Sequence, residues 1–258
     1  MTSATSTMQT GIDDQVATAT CPAGSRLTGA GAAVAHPNAY INRLEPRSTA
    51  DGPNSVAMFA TVATDEPQAS VEAGVWAYCV TSGPATRIIN QTATSSQSGR
   101  VSVAVPCPAG THVVGGGAKT PFGGIPAQNY LASSFPASDL RSWNATAVNL
   151  STAASVTGYA ICADAGPATQ RVASTSTAHV TESGYGADGG LEASVVCPDG
   201  THVTGGGTDT QGSYLMSTLA TANPGGTLKL NGWSARAKIR VSNIATIVTY
   251  AVCESDQW

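Results

Sequence analysis

The stretch Cys107-Pro108-Ala109-Gly110-Thr111-His112-Val113-Val114-Gly115-Gly116-Gly117 decides the fold, because the chain writes it three times. Its opening recurs as Cys21-Pro22-Ala23-Gly24 and as Cys197-Pro198-Asp199-Gly200. A glycine cluster follows at the same offset in each copy: Gly29 and Gly31, Gly115 to Gly117, and Gly205 to Gly207. The first cysteines lie 86 and 90 residues apart, which sets the period of an internal repeat. Cys-Pro-x-Gly reads as a turn, since proline cannot continue a ladder and glycine supplies positive φ. The glycine cluster behind it reads as a bulge or a close approach of backbones.

Further landmarks hold the register. A tyrosine opens an apolar stretch in each copy, at Tyr40-Ile41, Tyr130-Leu131 and Tyr214-Leu215. A large aromatic follows, Phe59, Trp143 or Trp233, and is expected in the core. An aromatic then precedes a second cysteine by three residues: Trp76 and Cys79, Tyr159 and Cys162, Tyr250 and Cys253. Two copies leave through the same four residues, Gly83-Pro84-Ala85-Thr86 and Gly166-Pro167-Ala168-Thr169. These exits divide the chain into repeats at 1–82, 83–165 and 166–258.

Composition assigns the class. Only 11% of residues are charged, against about a quarter in an average domain, and Ala, Thr, Ser, Gly and Val take up the share. Threonine and valine favour strands, and 28 glycines with 14 prolines punctuate turns, so many short strands are expected. In the middle copy these run over Arg87–Thr94, Val101–Pro106, His112–Gly116, Tyr130–Phe135, Ser142–Asn149 and Ser155–Cys162. The fold class is therefore all-β, as three tandem β-sandwich-like repeats. The short exits favour contact between copies, with packing about a pseudo-threefold axis or separate beads as the two arrangements open. The loop before each tyrosine differs from copy to copy (32–39, 118–129 and 208–213), so any contact surface is expected there, with Tyr40, Tyr130 and Tyr214 as its residues.

The six cysteines supply the main chemical clue. Within each copy the two lie 58, 55 and 56 residues apart, and repeat symmetry favours Cys21–Cys79, Cys107–Cys162 and Cys197–Cys253 among the possible pairings. Loops of that size are stabilised by roughly 3 to 4.5 kcal/mol each on chain-entropy grounds. A copy of about 85 residues is marginal without such a staple. Three pairs of reduced, buried thiols in a cytosolic protein are the alternative, and an oxidising setting suits matched cysteines better. Metal ligation is not expected: C-x-x-C spacing is missing and the histidines do not match in every copy.

Catalytic constellations are equally thin. The serines include no Gly-x-Ser-x-Gly elbow, and Asp13-Asp14 and Asp65-Glu66 occur in the first copy only. His112 and His202 occupy one position, which Arg26 takes in the first copy, and read as strand surface residues. Gly115 to Gly117 lacks the Lys-Ser/Thr of a phosphate loop. The net charge of −4 argues against nucleic acid, and Arg236, Lys238 and Arg240 read as a solvated strand face. No apolar run approaches the ~20 residues that cross a bilayer, so no membrane insertion is expected.

The pattern Cys-Pro-Ala-Gly-Thr-x-Val-x-Gly-Gly-Gly, a later tryptophan and a closing Tyr-Ala-x-Cys resembles a β-repeat of actinobacteriophage virion proteins and actinobacterial secreted proteins. The likeness covers all three copies; the first departs from it with Gly29-Ala30-Gly31 and Phe59. It implies a β-sandwich-like module with one internal disulfide and carries over no catalytic residue. The expectation is a non-enzymatic virion component (a capsid decoration or a tail or fibre module), without cofactor and part of a larger assembly. Its partners would be other virion proteins or host-surface glycans, and its place the virion surface or the extracellular space. A first repeat that begins almost at Met1, without a charged and apolar leader, suits that reading. The alternative is a secreted bacterial carbohydrate-binding, lectin-like protein whose three weak sites act together.

Overall fold

A computed structural model describes residues 2–9, 17–35, 39–49, 52–64, 70–121, 129–150, 154–164, 169–179, 190–211, 213–222, 230–239 and 244–255. Among them the chain is all-β. Residues 1–82 carry β1 (Thr2–Gln9), β2 (Ala17–Thr20), β3 (Arg26–Val34), β4 (Ala39–Thr49), β5 (Gly52–Thr64) and β6 (Ser70–Val80). Residues 83–165 carry β7 (Thr86–Ser95), β8 (Gly99–Pro106), β9 (Thr111–Lys119), β10 (Asn129–Pro136), β11 (Ser142–Asn149) and β12 (Ala154–Asp164). Residues 166–258 carry β13 (Thr169–His179), β14 (Gly190–Val196), β15 (Thr201–Gln211), β16 (Ser213–Ala222), β17 (Leu230–Ile239) and β18 (Ile244–Ser255). In the middle copy every strand read from sequence is present, shifted by a few residues at most.

The repeated turn is built as its residues dictate. Gly24, Gly110 and Gly200 take φ of 78°, 82° and 76°, the left-handed region that a side chain disfavours. The residue after each glycine closes the turn with its N–H on the proline carbonyl: Ser25 on Pro22, Thr111 on Pro108, Thr201 on Pro198, at 3.0, 3.1 and 3.2 Å. The hydroxyls of Ser25, Thr111 and Thr201 donate to the same carbonyls. Beside each turn lies a disulfide: Cys21–Cys79, Cys107–Cys162 and Cys197–Cys253, each with Cα atoms 5.7 Å apart. The described cysteines are all paired.

The strands form three antiparallel sheets, in the orders β1-β6-β3-β16-β17-β14, β13-β18-β15-β10-β11-β8 and β2-β5-β4-β9-β12-β7. Each sheet takes half its strands from one copy and half from another. The copies thus do not close separate sandwiches, which corrects that part of the sequence reading. The physical reason is size: a unit of about 85 residues buries too little surface alone, and sharing sheets extends its core. The seams are short ladders, Arg43↔Lys119 and Leu44↔Ala118, Ser133↔Asp209 and Ser134↔Thr208, and Ser217↔Ala33 and Thr218↔Ala32. Each sheet packs against both others, and the six edge strands meet as β1 beside β2, β7 beside β8 and β13 beside β14. Edges that cover one another in this way offer little unpaired backbone to another chain.

The glycine clusters turn out to be both bulge and close approach. The β3, β9 and β15 ladders skip one residue each, at Thr28, Val114 and Thr204. The next residue, Gly29, Gly115 or Gly205, faces backbone of another copy. A methyl group on Gly29 would lie 2.8 Å from the Gly205 Cα, one on Gly205 would lie 2.8 Å from the Gly115 Cα, and one on Gly115 would lie 2.9 Å from the Gly29 Cα. The contacts close a cycle through all three copies.

Two of the tryptophans are core residues. Trp143 and Trp233 are buried, and their indole N–H groups donate to Ser134 Oγ at 2.9 Å and Thr218 Oγ1 at 2.8 Å. The position equivalent to them in the first copy is Met58, not Phe59. Trp143 pairs with Pro136 and Val105, Trp233 with Ala220 and Val195, and Met58 with Pro46 and Ala19. Matching by aromatic character slips the register by one residue, which in a strand exchanges the two faces. Tyr78 of the first copy meets Trp233 of the third edge-on, with ring centroids 5.3 Å apart, and its hydroxyl accepts the Ala220 N–H at 2.7 Å.

Candidate functional site

Among the described residues two places concentrate polar chemistry, and both lie where copies meet. The first is Glu45. Period-2 alternation on β4 places Arg43, Glu45 and Arg47 on one face, and the seam with β9 brings Lys119 and Tyr159 of the next copy to it. Its carboxylate accepts from Arg43 Nε at 2.7 Å, Arg47 Nη2 at 2.8 Å, Lys119 Nζ at 3.0 Å and the Tyr159 hydroxyl at 2.8 Å. Burial alone would push this carboxyl up. The hydrogen bonds from Arg47, Tyr159, Lys119 and Arg43 outweigh it and lower the pKa from 4.5 to about 2. The same carboxylate and the loss of water push the Tyr159 phenol up, burial being the larger cause. Glu45 is therefore charged and saturated with donors, which suits a clamp between copies rather than an acid or base.

The corresponding seam between the second and third copies is built differently. Phe135 and Tyr250 stack with centroids 5.0 Å apart, the Arg171 guanidinium lies 4.8 Å over the Tyr250 ring, and Ser133 Oγ donates to Asp209. Phe135 and Arg171 thus both engage the half-buried Tyr250 ring.

The second place is a cavity of about 230 Å³ lined by residues of all three copies: Thr28, Val80, Ser82, Pro84, Thr86, Val114, Ala163, His202 and Glu254. Thr28 and Val114 are the bulge residues beside the glycine cycle. Val80, Ala163 and Glu254 hold one register position, paired with Arg26, His112 and His202. The Glu254 side chain is 7% exposed, and its Oε1 lies 3.5 Å from His112 Nε2, which is also 3.1 Å from Thr169 Oγ1. His112 and His202 are thus partly buried at the meeting of copies rather than open on a strand face.

Tyr40 and Tyr130 are not a contact surface. Both are buried, at 0% and 5% exposure, and their rings meet edge-on with centroids 6.1 Å apart. Strands β4 and β10 are buried on both faces at this point, since Ile41 and Leu131, which face the other way, are buried too. The Tyr214 and Phe59 side chains and residues 36–38, 122–128 and 212 of the three variable stretches lie outside the described residues; of the third stretch, 208–211 continue β15 and 213 opens β16. Of the basic strip, Arg236 is exposed with Glu192 3.9 Å away and Lys238 is buried; Arg240 lies outside the described residues. Among the described residues no group of three His, Cys, Asp or Glu side chains is placed to hold a metal ion, and no helix is long and apolar enough to cross a membrane. Comparison with known protein families and with curated proteins gives no match.

Proposed function

We propose that the chain is a non-enzymatic surface protein of a virion, a capsid decoration or a tail or fibre module, in which three copies stand about a pseudo-threefold axis. The observation that carries the reading is the sharing of every sheet between two copies, with a disulfide in each copy. That construction spends its polar chemistry on holding copies together, as Glu45 does, and suits a body that must persist outside cells. The cyclic order of seams and of the Gly29, Gly115 and Gly205 contacts supports the axis. Repeat likeness in the Cys-Pro-x-Gly and triple-glycine motifs supports the virion setting. Against the carbohydrate-binding alternative, Trp143, Trp233, Tyr40 and Tyr130 are interior residues.

Immunogold electron microscopy of culture supernatant, with antibody raised against the folded chain, tests the assignment. Gold at regular places on phage particles is expected. Label confined to free protein or to cell walls, together with saturable binding on a glycan array, would replace the virion reading with the secreted one.

A further inference from the structure

We propose that the cavity shared by the three copies binds a small organic cation, an alkylammonium or alkylguanidinium group, against the Glu254 carboxylate. The repeat on its own would make this an apolar hollow: the first and second copies place Val80 and Ala163 at the position where the third places Glu254. One carboxylate is thereby set into a wall that also carries Val114 and Pro84. A buried carboxylate costs several kcal/mol unless charge and hydrogen bonds compensate it. Glu45 in the same molecule shows full compensation, with four donors at 3.0 Å or less from three cationic side chains and a phenol. Glu254 has instead the His112 ring at 3.5 Å, with His202 and Thr169 across its two ladders, and neither lysine nor arginine is among the described residues that line the cavity.

The rest of the lining fits the same ligand. Val80, Val114, Ala163 and Pro84 offer an apolar sleeve for an alkyl stem, and Thr28, Ser82 and Thr86 offer hydroxyl oxygens to the remaining N–H groups. A volume of about 230 Å³ is below that of a pocket for a drug-sized molecule and matches a long basic side chain or a short free amine. An anion would meet Glu254 and is disfavoured. The ligand chemistry is common to a lysine or arginine of a partner protein and to a free polyamine.

Titration of the full chain with n-butylammonium, n-butylguanidinium, butyrate and butanol, followed by NMR or calorimetry, tests the proposal. At least one of the two cations is expected to saturate, with butanol and butyrate about tenfold weaker or more. Glu254→Gln should lower cation affinity at least about tenfold, and Ala163→Leu, which fills the sleeve without touching the charge, should abolish it. If Glu254→Gln does not fold, the cation-to-butanol ratio and Ala163→Leu decide. Butanol binding as tight as the cations, no saturation by either cation, or unchanged affinity in Ala163→Leu would overturn the proposal. Blocked lysine and arginine peptides against putrescine distinguish the sources: tighter peptide binding marks a partner side chain, tighter putrescine binding a free amine.

Discussion

Gly29→Ala should be among the most damaging single-methyl changes in the molecule. The added carbon would sit 2.5 Å from the Thr204 carbonyl oxygen and 2.8 Å from the Gly205 Cα. Ordinary contacts of these kinds run from about 3.3 to 4.0 Å, so strands β3 and β15 would have to part by about 1 Å. Both opposing atoms are backbone, held by ladders to β6 and β18, and no flexible side chain can swing aside. Overpacking of this sort costs typically 1–3 kcal/mol, and a site walled by backbone belongs at the upper end. Alanine recovers about 0.5–1 kcal/mol of backbone entropy, which leaves a net loss of about 2 kcal/mol. Urea unfolding followed through the emission of buried Trp143 and Trp233 would measure it, with a fall in Tm of roughly 4–8 °C in parallel. Gly115→Ala and Gly205→Ala should behave alike, because each faces the next member of the cycle. Gly110→Ala is the control: it has open space around its Cα and a φ of +82°, so only the left-handed backbone penalty of about 1 kcal/mol applies. If copies were separate beads, Gly29→Ala would leave stability unchanged or raise it, and that result would refute the reasoning.

Other outcomes follow from the same contacts. Glu45 has a folded pKa held at about 2 against 4.5, worth about 3 kcal/mol that is fully present above the ordinary carboxylate range and lost as pH falls through about 2. The stability gap between wild type and Glu45→Gln should therefore be near that size at pH 7 and close progressively from about pH 4.5 downward; a gap independent of pH would contradict the ionic clamp. Replacing Cys107 and Cys162 together by alanine opens a loop of 55 residues and should cost about 4 kcal/mol by denaturant titration. Trp143→Phe removes the indole N–H from Ser134 Oγ and should cost more than Ser134→Ala, since the smaller ring also leaves a void; equal costs would mean that the hydrogen bond alone matters.

Much of this architecture is legible in the sequence because it is local. Turn, bulge glycine, strand alternation and the two cysteines of a copy all lie within one repeat, where spacing and residue type fix the geometry. What spacing cannot give is which strand lies beside which across copies, since β4 could continue a sheet of its own copy or of another with the same local pattern. The interior place of Tyr40 and Tyr130 follows from that choice, and so does the cavity at Glu254. Glu45 stands between: Arg43-x-Glu45-x-Arg47 on one strand face is visible in the sequence, whereas Lys119 and Tyr159 come only with the seam. Phe59 illustrates a different limit, because resemblance of side chains suggested an equivalence that the ladder assigns to Met58.

The central claim is that three copies form one interlocked body, and calorimetry of the disulfide-intact protein tests it most directly. A single unfolding transition with a calorimetric enthalpy close to the van't Hoff enthalpy is predicted, because no sheet can melt without breaking strands of two copies. A calorimetric enthalpy about three times the van't Hoff value, or resolved transitions of about 85 residues each, would contradict it.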